Sequence, residues 1–226
     1  MLGLLVIIIV SWVLLHLIEK KNIDVLGIVP SFKSLGQFAL GFLVISIIVL
    51  LNIFFETQIL NVEWESKTID YAIFFNAFLY HLKSALTEDL VFRGAILYIL
   101  INRLGAKWGV LISALCFGIY HVFSYGMASD RIVPILYVII ITGFTGYVWA
   151  YTFYKTKSIM MGLGFHLGVN LINACFFESQ PYGELIFTEV SRINISEWNN
   201  FLFLIFKGLF PSIFTLIFIK YLLKSS

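Results

Sequence analysis

Six residues in this chain combine acid, base and hydrogen-bonding chemistry inside otherwise apolar sequence: Glu88, Asp89, Arg93, His121, His166 and Asn170. They fall in three clusters. The first is Thr87-Glu88-Asp89-Leu90-Val91-Phe92-Arg93, the second Phe117-Gly118-Ile119-Tyr120-His121, the third His166-Leu167-Gly168-Val169-Asn170. Asp89 and Arg93 are four apart and can pair on one helical face. Glu88 is turned about 100° from Asp89, which leaves it available as a general base at membrane depth. His166 and Asn170 share a face, with Asn173 continuing the stripe, and two neighbouring donors suit a developing oxyanion. Each cluster also has a plainer reading. Thr87 with Glu88 and Asp89 reads as an N-cap and an acidic first turn. His121 reads as an interfacial histidine near a span end. His166 and Asn170 read as an interhelical hydrogen-bonding pair.

The elements that must position these residues are apolar. Of 226 residues, 60% are hydrophobic and 12% charged, against about 25% charged in soluble domains. The apolar residues run in stretches of about 17–25, enough to cross a roughly 30 Å hydrocarbon core. Ionisable residues inside such spans cost on the order of 2.5–3.5 kcal/mol on insertion scales, which is why the few present point to function or to a partner. The expected fold is an all-α, polytopic transmembrane bundle with an internal polar cavity, one domain over residues 1–226 with a motif-bearing core over 88–170. About eight spans are expected: Leu2–Ile18, Leu35–Phe55, Ile69–Leu86, Glu88–Ile101, Trp108–Phe123, Ile132–Tyr154, Ser158–Phe177 and Trp198–Leu223. No Lys or Arg precedes the first span and no small-residue cleavage pattern follows it, so it is expected to be retained.

Other polar residues fit ordinary roles. Lys20, Lys21, Lys155, Lys157, Lys220 and Lys224 sit at span ends, within reach of lipid headgroups. Trp12, Trp64, Trp108, Trp149 and Trp198 fall mostly near span ends, as in an interfacial belt. Glu56, Glu63 and Glu65 are expected in a loop, and so are Glu178, Glu184, Glu189 and Glu197. His16 reads as interfacial, and His81 and Lys83 as snorkelling side chains. Cys116 and Cys175 lie in apolar runs and read as packed thiols. Gly164 and Gly168, four apart, allow close helix packing. The net charge of +2 is scattered and forms no nucleic-acid patch.

Taken in order, Glu88-Asp89-x-x-x-Arg93, Phe117-x-x-x-His121 and His166-x-x-x-Asn170 resemble the CPBP family of membrane proteins. This is the CAAX protease and bacteriocin-processing (Abi) family, whose pattern is Glu-Glu-x-x-x-Arg, Phe-x-x-x-His and His-x-x-x-Asn on an eight-helix bundle. The likeness covers the central third of the chain. It implies an intramembrane endopeptidase, and the lack of a zincin spacing favours a metal-free, cofactor-free mechanism. Glu88 would activate water, His121 would hold it, His166 and Asn170 would stabilise the oxyanion, and Arg93 would order the acidic motif. Asp89 departs from the pattern, being one methylene shorter than the usual second glutamate. The partners implied are a peptide or membrane-protein substrate, such as a CAAX-type tail or a bacteriocin or signalling peptide, and a lipid bilayer, with the many bacterial members suggesting a bacterial plasma membrane. Three rival readings use the same residues. Glu88, His121 and His166 are zinc ligands by type, although no His-Glu-x-x-His spacing occurs. A self-immunity or peptide-binding protein would hold a peptide without cutting it. A transporter would use the buried charges as an ion path, but no repeated half with interrupted helices is seen. Membrane orientation and oligomeric state have no decisive signal in the sequence.

Overall fold

The computed structural model describes residues 2–222. Leu223 and Lys224, expected at the last span end and at the headgroups, lie outside the described residues. The helices are α1 (Leu2–Leu14), α2 (Phe32–Leu60), α3 (Tyr71–Arg93), α4 (Ala95–Ser124), α5 (Ile132–Thr156), α6 (Met160–Phe176) and α7 (Glu197–Leu222). Between them lie β1 (Glu63–Ser66) and β2 (Phe187–Ser191), an antiparallel pair that the continuous apolar runs did not announce. Large apolar side chains such as Leu43, Ile47, Phe75 and Ile140 face outward while Asp89, Arg93 and His166 are buried. That inversion is what a hydrocarbon solvent favours. The chain is an all-α integral membrane bundle carrying one small sheet.

Five stretches are long and apolar enough to span a bilayer: Leu2–Glu19, Phe32–Leu60, Tyr71–Ser124, Ile132–Thr156 and Glu197–Leu222. Met160–Phe176 is a shorter apolar helix. The count is therefore about six rather than the eight expected, because three expected spans fall within Tyr71–Ser124. Thr87 caps nothing. It lies inside α3, and its hydroxyl donates to the Lys83 carbonyl at 2.7 Å, a usual resting place for a mid-helix threonine. No glycine or proline separates residues 86 and 88, so the helix runs through the acidic pair. The chain breaks instead at Gly94 (φ −87°, ψ −131°) and at Gly105 (φ 82°, ψ 161°). A Cβ at Gly94 would collide with the Leu90 carbonyl oxygen, and Gly105 holds the left-handed half of backbone space that glycine tolerates. The true cap of α3 is Asp70, whose Oδ1 accepts from the Ala72 and Ile73 amides at 2.9 and 3.0 Å. Ser31 and Ser34 form a reciprocal capping box at the start of α2.

The helices that carry the polar residues are locked by close contacts. α6 packs most closely on α2 and α4 on α5. Gly164 lies against the Phe38 and Phe42 backbone, and Gly168 against Ile45 and Ser46, as their spacing suggested. A Cβ on Gly118 would come within 3.2 Å of the Gly143 Cα, so α4 and α5 cross nearly backbone to backbone. Three further expectations are corrected. Glu56 is not in a loop; it is buried on α2, where Lys207 Nζ lies 2.6 Å from its Oε2. Trp149 is not interfacial but buried in the core, whereas Trp12, Trp108 and Trp198 are exposed. His81 does not snorkel; it is buried in mid-α3 and its Nε2 donates to the Pro181 carbonyl at 3.0 Å. Cys116 and Cys175 are both free thiols, Cys116 exposed and Cys175 buried.

Candidate active site

Three helices bring the polar clusters together. α3 supplies Glu88, Asp89 and Arg93, α4 supplies His121, and α6 supplies His166 and Asn170. Glu88 Oε2 lies 3.9 Å from His121 Nε2 and 3.9 Å from His166 Nε2. The carboxylate therefore sits between two imidazoles from two other helices. Its second oxygen accepts a long hydrogen bond from Ser84 Oγ at 3.4 Å. Oε2 has no hydrogen-bond partner among the described residues.

The far side of each imidazole defines its near side. His121 Nδ1 lies 2.8 Å from the Phe117 carbonyl oxygen. A carbonyl only accepts, so Nδ1 carries a proton, and Nε2 is the ring nitrogen turned towards Glu88. His166 Nδ1 lies 3.3 Å from Asp89 Oδ1 and donates to it in the same way. Asp89 Oδ1 also accepts from Arg93 Nη1 at 2.6 Å, and this pair is almost fully buried. The shorter side chain at position 89 thus serves two partners with one oxygen. Arg93 is sandwiched further, its guanidinium carbon 3.9 Å from the Phe117 ring centre and 4.9 Å from that of Trp149. Such stacking replaces water around a buried cation.

Several of these contributors escaped sequence reasoning. The Phe117 ring packs on His121 and Phe92 as well as on Arg93. Trp149 packs on His166 with ring centres 4.6 Å apart. Ser113 Oγ donates to the Phe92 carbonyl at 2.7 Å, tying α4 to α3 beside the break at Gly94. Ser84 had a signal, one helical turn before Glu88; Trp149 and Ser113 had none, because their partners are on other helices. Asn170 is half-buried one turn beyond His166, and its amide forms no hydrogen bond among the described residues. Asn173 lines a separate cavity of about 320 Å³ between α2, α5, α6 and α7. Glu88, His121 and His166 do not line this cavity, and Trp149 forms part of its wall. Glu88 keeps its own access, with 18% of its side chain exposed. No set of three or more His, Cys, Asp and Glu side chains among the described residues is arranged to hold a metal ion.

The apolar bundle is that of an integral membrane protein, and it carries a partly exposed carboxylate between two imidazoles. The family model described as type II CAAX prenyl endopeptidase Rce1-like matches residues 70–172, and this match supports the CPBP, or CAAX protease, family for the chain. Over that segment the chain is similar to membrane proteases of the CAAX type. The matched segment runs from the cap of α3 to beyond Asn170 and so contains all three motifs. No curated protein and no solved structure matches the chain.

Proposed function

We propose that the protein is an intramembrane endopeptidase in which Glu88 activates water for attack on a peptide bond. The observation that carries this reading is the 3.9 Å separation of Glu88 Oε2 from the Nε2 atoms of both histidines. Two acceptors that share one water, each about 2.8 Å from its oxygen, sit roughly 4–4.5 Å apart. A water between Glu88 and His121 would donate one hydrogen to each and present its lone pairs to a carbonyl carbon. Glu88 takes the proton as the C–O bond forms and returns it to the amine nitrogen as the C–N bond breaks. His166 donates to the oxyanion through Nε2 when its ring carries both protons, with Nδ1–H held on Asp89. The Asn170 amide adds a second donor from the same face. No step needs a covalent intermediate or a metal. The substrate class we propose is a peptide or membrane-protein tail reaching the site within the bilayer, a CAAX-type tail or a bacteriocin or signalling peptide.

The test is mass spectrometry of candidate peptides incubated with purified protein. Wild type is expected to yield two fragments, and Glu88→Gln to cut at least about a thousandfold more slowly while keeping its helical circular dichroism. Near-wild-type cleavage by that variant would overturn the proposal, and binding without cleavage by wild type would favour a peptide-holding role. Cleavage is expected to persist in strong chelator. Loss of cleavage there, with recovery on adding Zn²⁺ alone, would replace the water mechanism by a metal-based one.

A further inference from the structure

The cavity between α2, α5, α6 and α7 has a feature that the proposed catalytic chemistry does not use. α7 contains Pro211. Proline has no amide hydrogen, so the carbonyl of Lys207, four residues earlier, loses its helical donor. Asn52 of α2 replaces that donor, its Nδ2 donating to the Lys207 oxygen at 2.9 Å. This contact fixes the amide's orientation, because a carbonyl cannot accept from Oδ1. Oδ1 is left without a hydrogen-bond partner, on a side chain only 7% exposed that lines the cavity. A buried acceptor in that state costs free energy until a donor reaches it.

The remaining lining specifies the donor. Lys207 is neutralised by Glu56, which also lies 3.7 Å from Arg192 Nη1, so a charged guest finds no unmatched charge. Thr145 and Ser212 satisfy each other at 2.7 Å. Asn173 offers an amide in the same space, and Ile45, Val49, Trp149 and Val169 form apolar walls. A volume of about 320 Å³ is at the lower end of the range for binding pockets, which are mainly apolar with a few placed polar groups. We infer that this cavity is a binding site for an uncharged secondary amide with apolar substituents, a short peptide segment whose N–H donates to Asn52 Oδ1. The identification of that segment as substrate rests on the protease reading, since Trp149 divides the cavity from His166; the binding itself does not.

The test uses the full chain carrying Glu88→Gln, so that no probe is consumed, in lipid nanodiscs. The probes are N-acetyl-leucine N-methylamide and its ester analogue, in which both N–H groups are replaced by oxygen. Calorimetric titration is expected to show the amide binding at least about tenfold tighter than the ester. Asn52→Leu is expected to erase that preference. Because Asn52 also braces α7, Val49→Phe serves as the second variant. It fills the cavity, leaves Asn52 in place, and is expected to weaken amide binding at least about tenfold. Equal affinity for amide and ester, or amide binding that survives Val49→Phe, would show a cavity filled by water only and overturn the inference. A wild-type chain that cuts no peptide while the Glu88→Gln chain prefers the amide overturns the protease reading alone.

Discussion

At the residue scale, the buried pair of Asp89 and Arg93 is the strongest structural commitment near the site. Asp89 Oδ1 holds Arg93 at 2.6 Å and His166 at 3.3 Å, so a side chain one methylene short of the usual glutamate still reaches both partners. Removing one member leaves the other charged and buried, which costs about 3–5 kcal/mol; replacing both by apolar groups of similar size costs far less. Arg93→Leu is therefore expected to lower the free energy of denaturant unfolding in detergent micelles by an amount in that range. The double variant Asp89→Leu/Arg93→Leu is expected to recover part of the loss. A double variant less stable than either single would show that the pair matters through shape and not through charge. The pairing itself was legible in the sequence, because residues four apart on one helix meet whatever the tertiary fold. The third partner, His166, was not, because it comes from another helix.

At the element scale, glycines decide where helices bend and how closely they approach. Gly164 of α6 rests on the α2 backbone at Phe38 and Phe42, whereas a Cβ at Gly36 of α2 would meet nothing within 4 Å. A methyl group at Gly36 removes the entropy penalty of about 0.5–1 kcal/mol that glycine carries in a helix. Gly36→Ala is thus expected to leave the thermal midpoint unchanged or raise it by a few degrees. Gly164→Ala forces α6 away from α2 and is expected to lower it clearly. Equal midpoints for the two variants would mean that the α2–α6 contact is looser than described. The sequence marked Gly164 and Gly168 as packing glycines through their spacing. It did not reveal the continuity of α3 through Thr87. Thr87 followed by acids is a valid cap signal, and only the absence of a chain break there distinguishes an interior turn from a first one. The break at Gly94 depends on the Leu90 carbonyl, which fills the space a Cβ would need.

At the scale of the whole molecule, an ion-pair network fastens the small sheet to the bundle. Glu56 of α2 meets Lys207 of α7 and Arg192 beside β2, and Arg192 pairs in turn with Glu189 of β2. Lys207 Nζ also lies 4.3 Å from the centre of the Phe177 ring, just past α6. Lys207→Met removes the shorter of the two partners of a buried carboxylate. It is expected to loosen residues 178–196, seen as faster cleavage there by an added soluble protease, with little change in overall helicity. Unchanged proteolysis would show that the β1–β2 ladder alone holds the segment. This network was invisible in the sequence for a simple reason. Glu56, Arg192 and Lys207 are far apart along the chain, and Glu56 looks like the start of an acidic loop until α2 is seen to run to Leu60.

Composition and apolar run length alone determined that the chain is a helical membrane protein, since no water-compatible surface can be made from 12% charged residues. Motif spacing picked out Glu88, Asp89, Arg93, His121, His166 and Asn170, because residues four apart share a helical face independently of what surrounds them. Tertiary structure alone decided that Glu88 stands 3.9 Å from both imidazoles, that Trp149 and Phe117 wall the arginine in, and that Asn52 and Trp149 line one cavity. Those distances follow from how α3, α4 and α6 cross, and the crossings are set by backbone contacts between helices that no local pattern encodes.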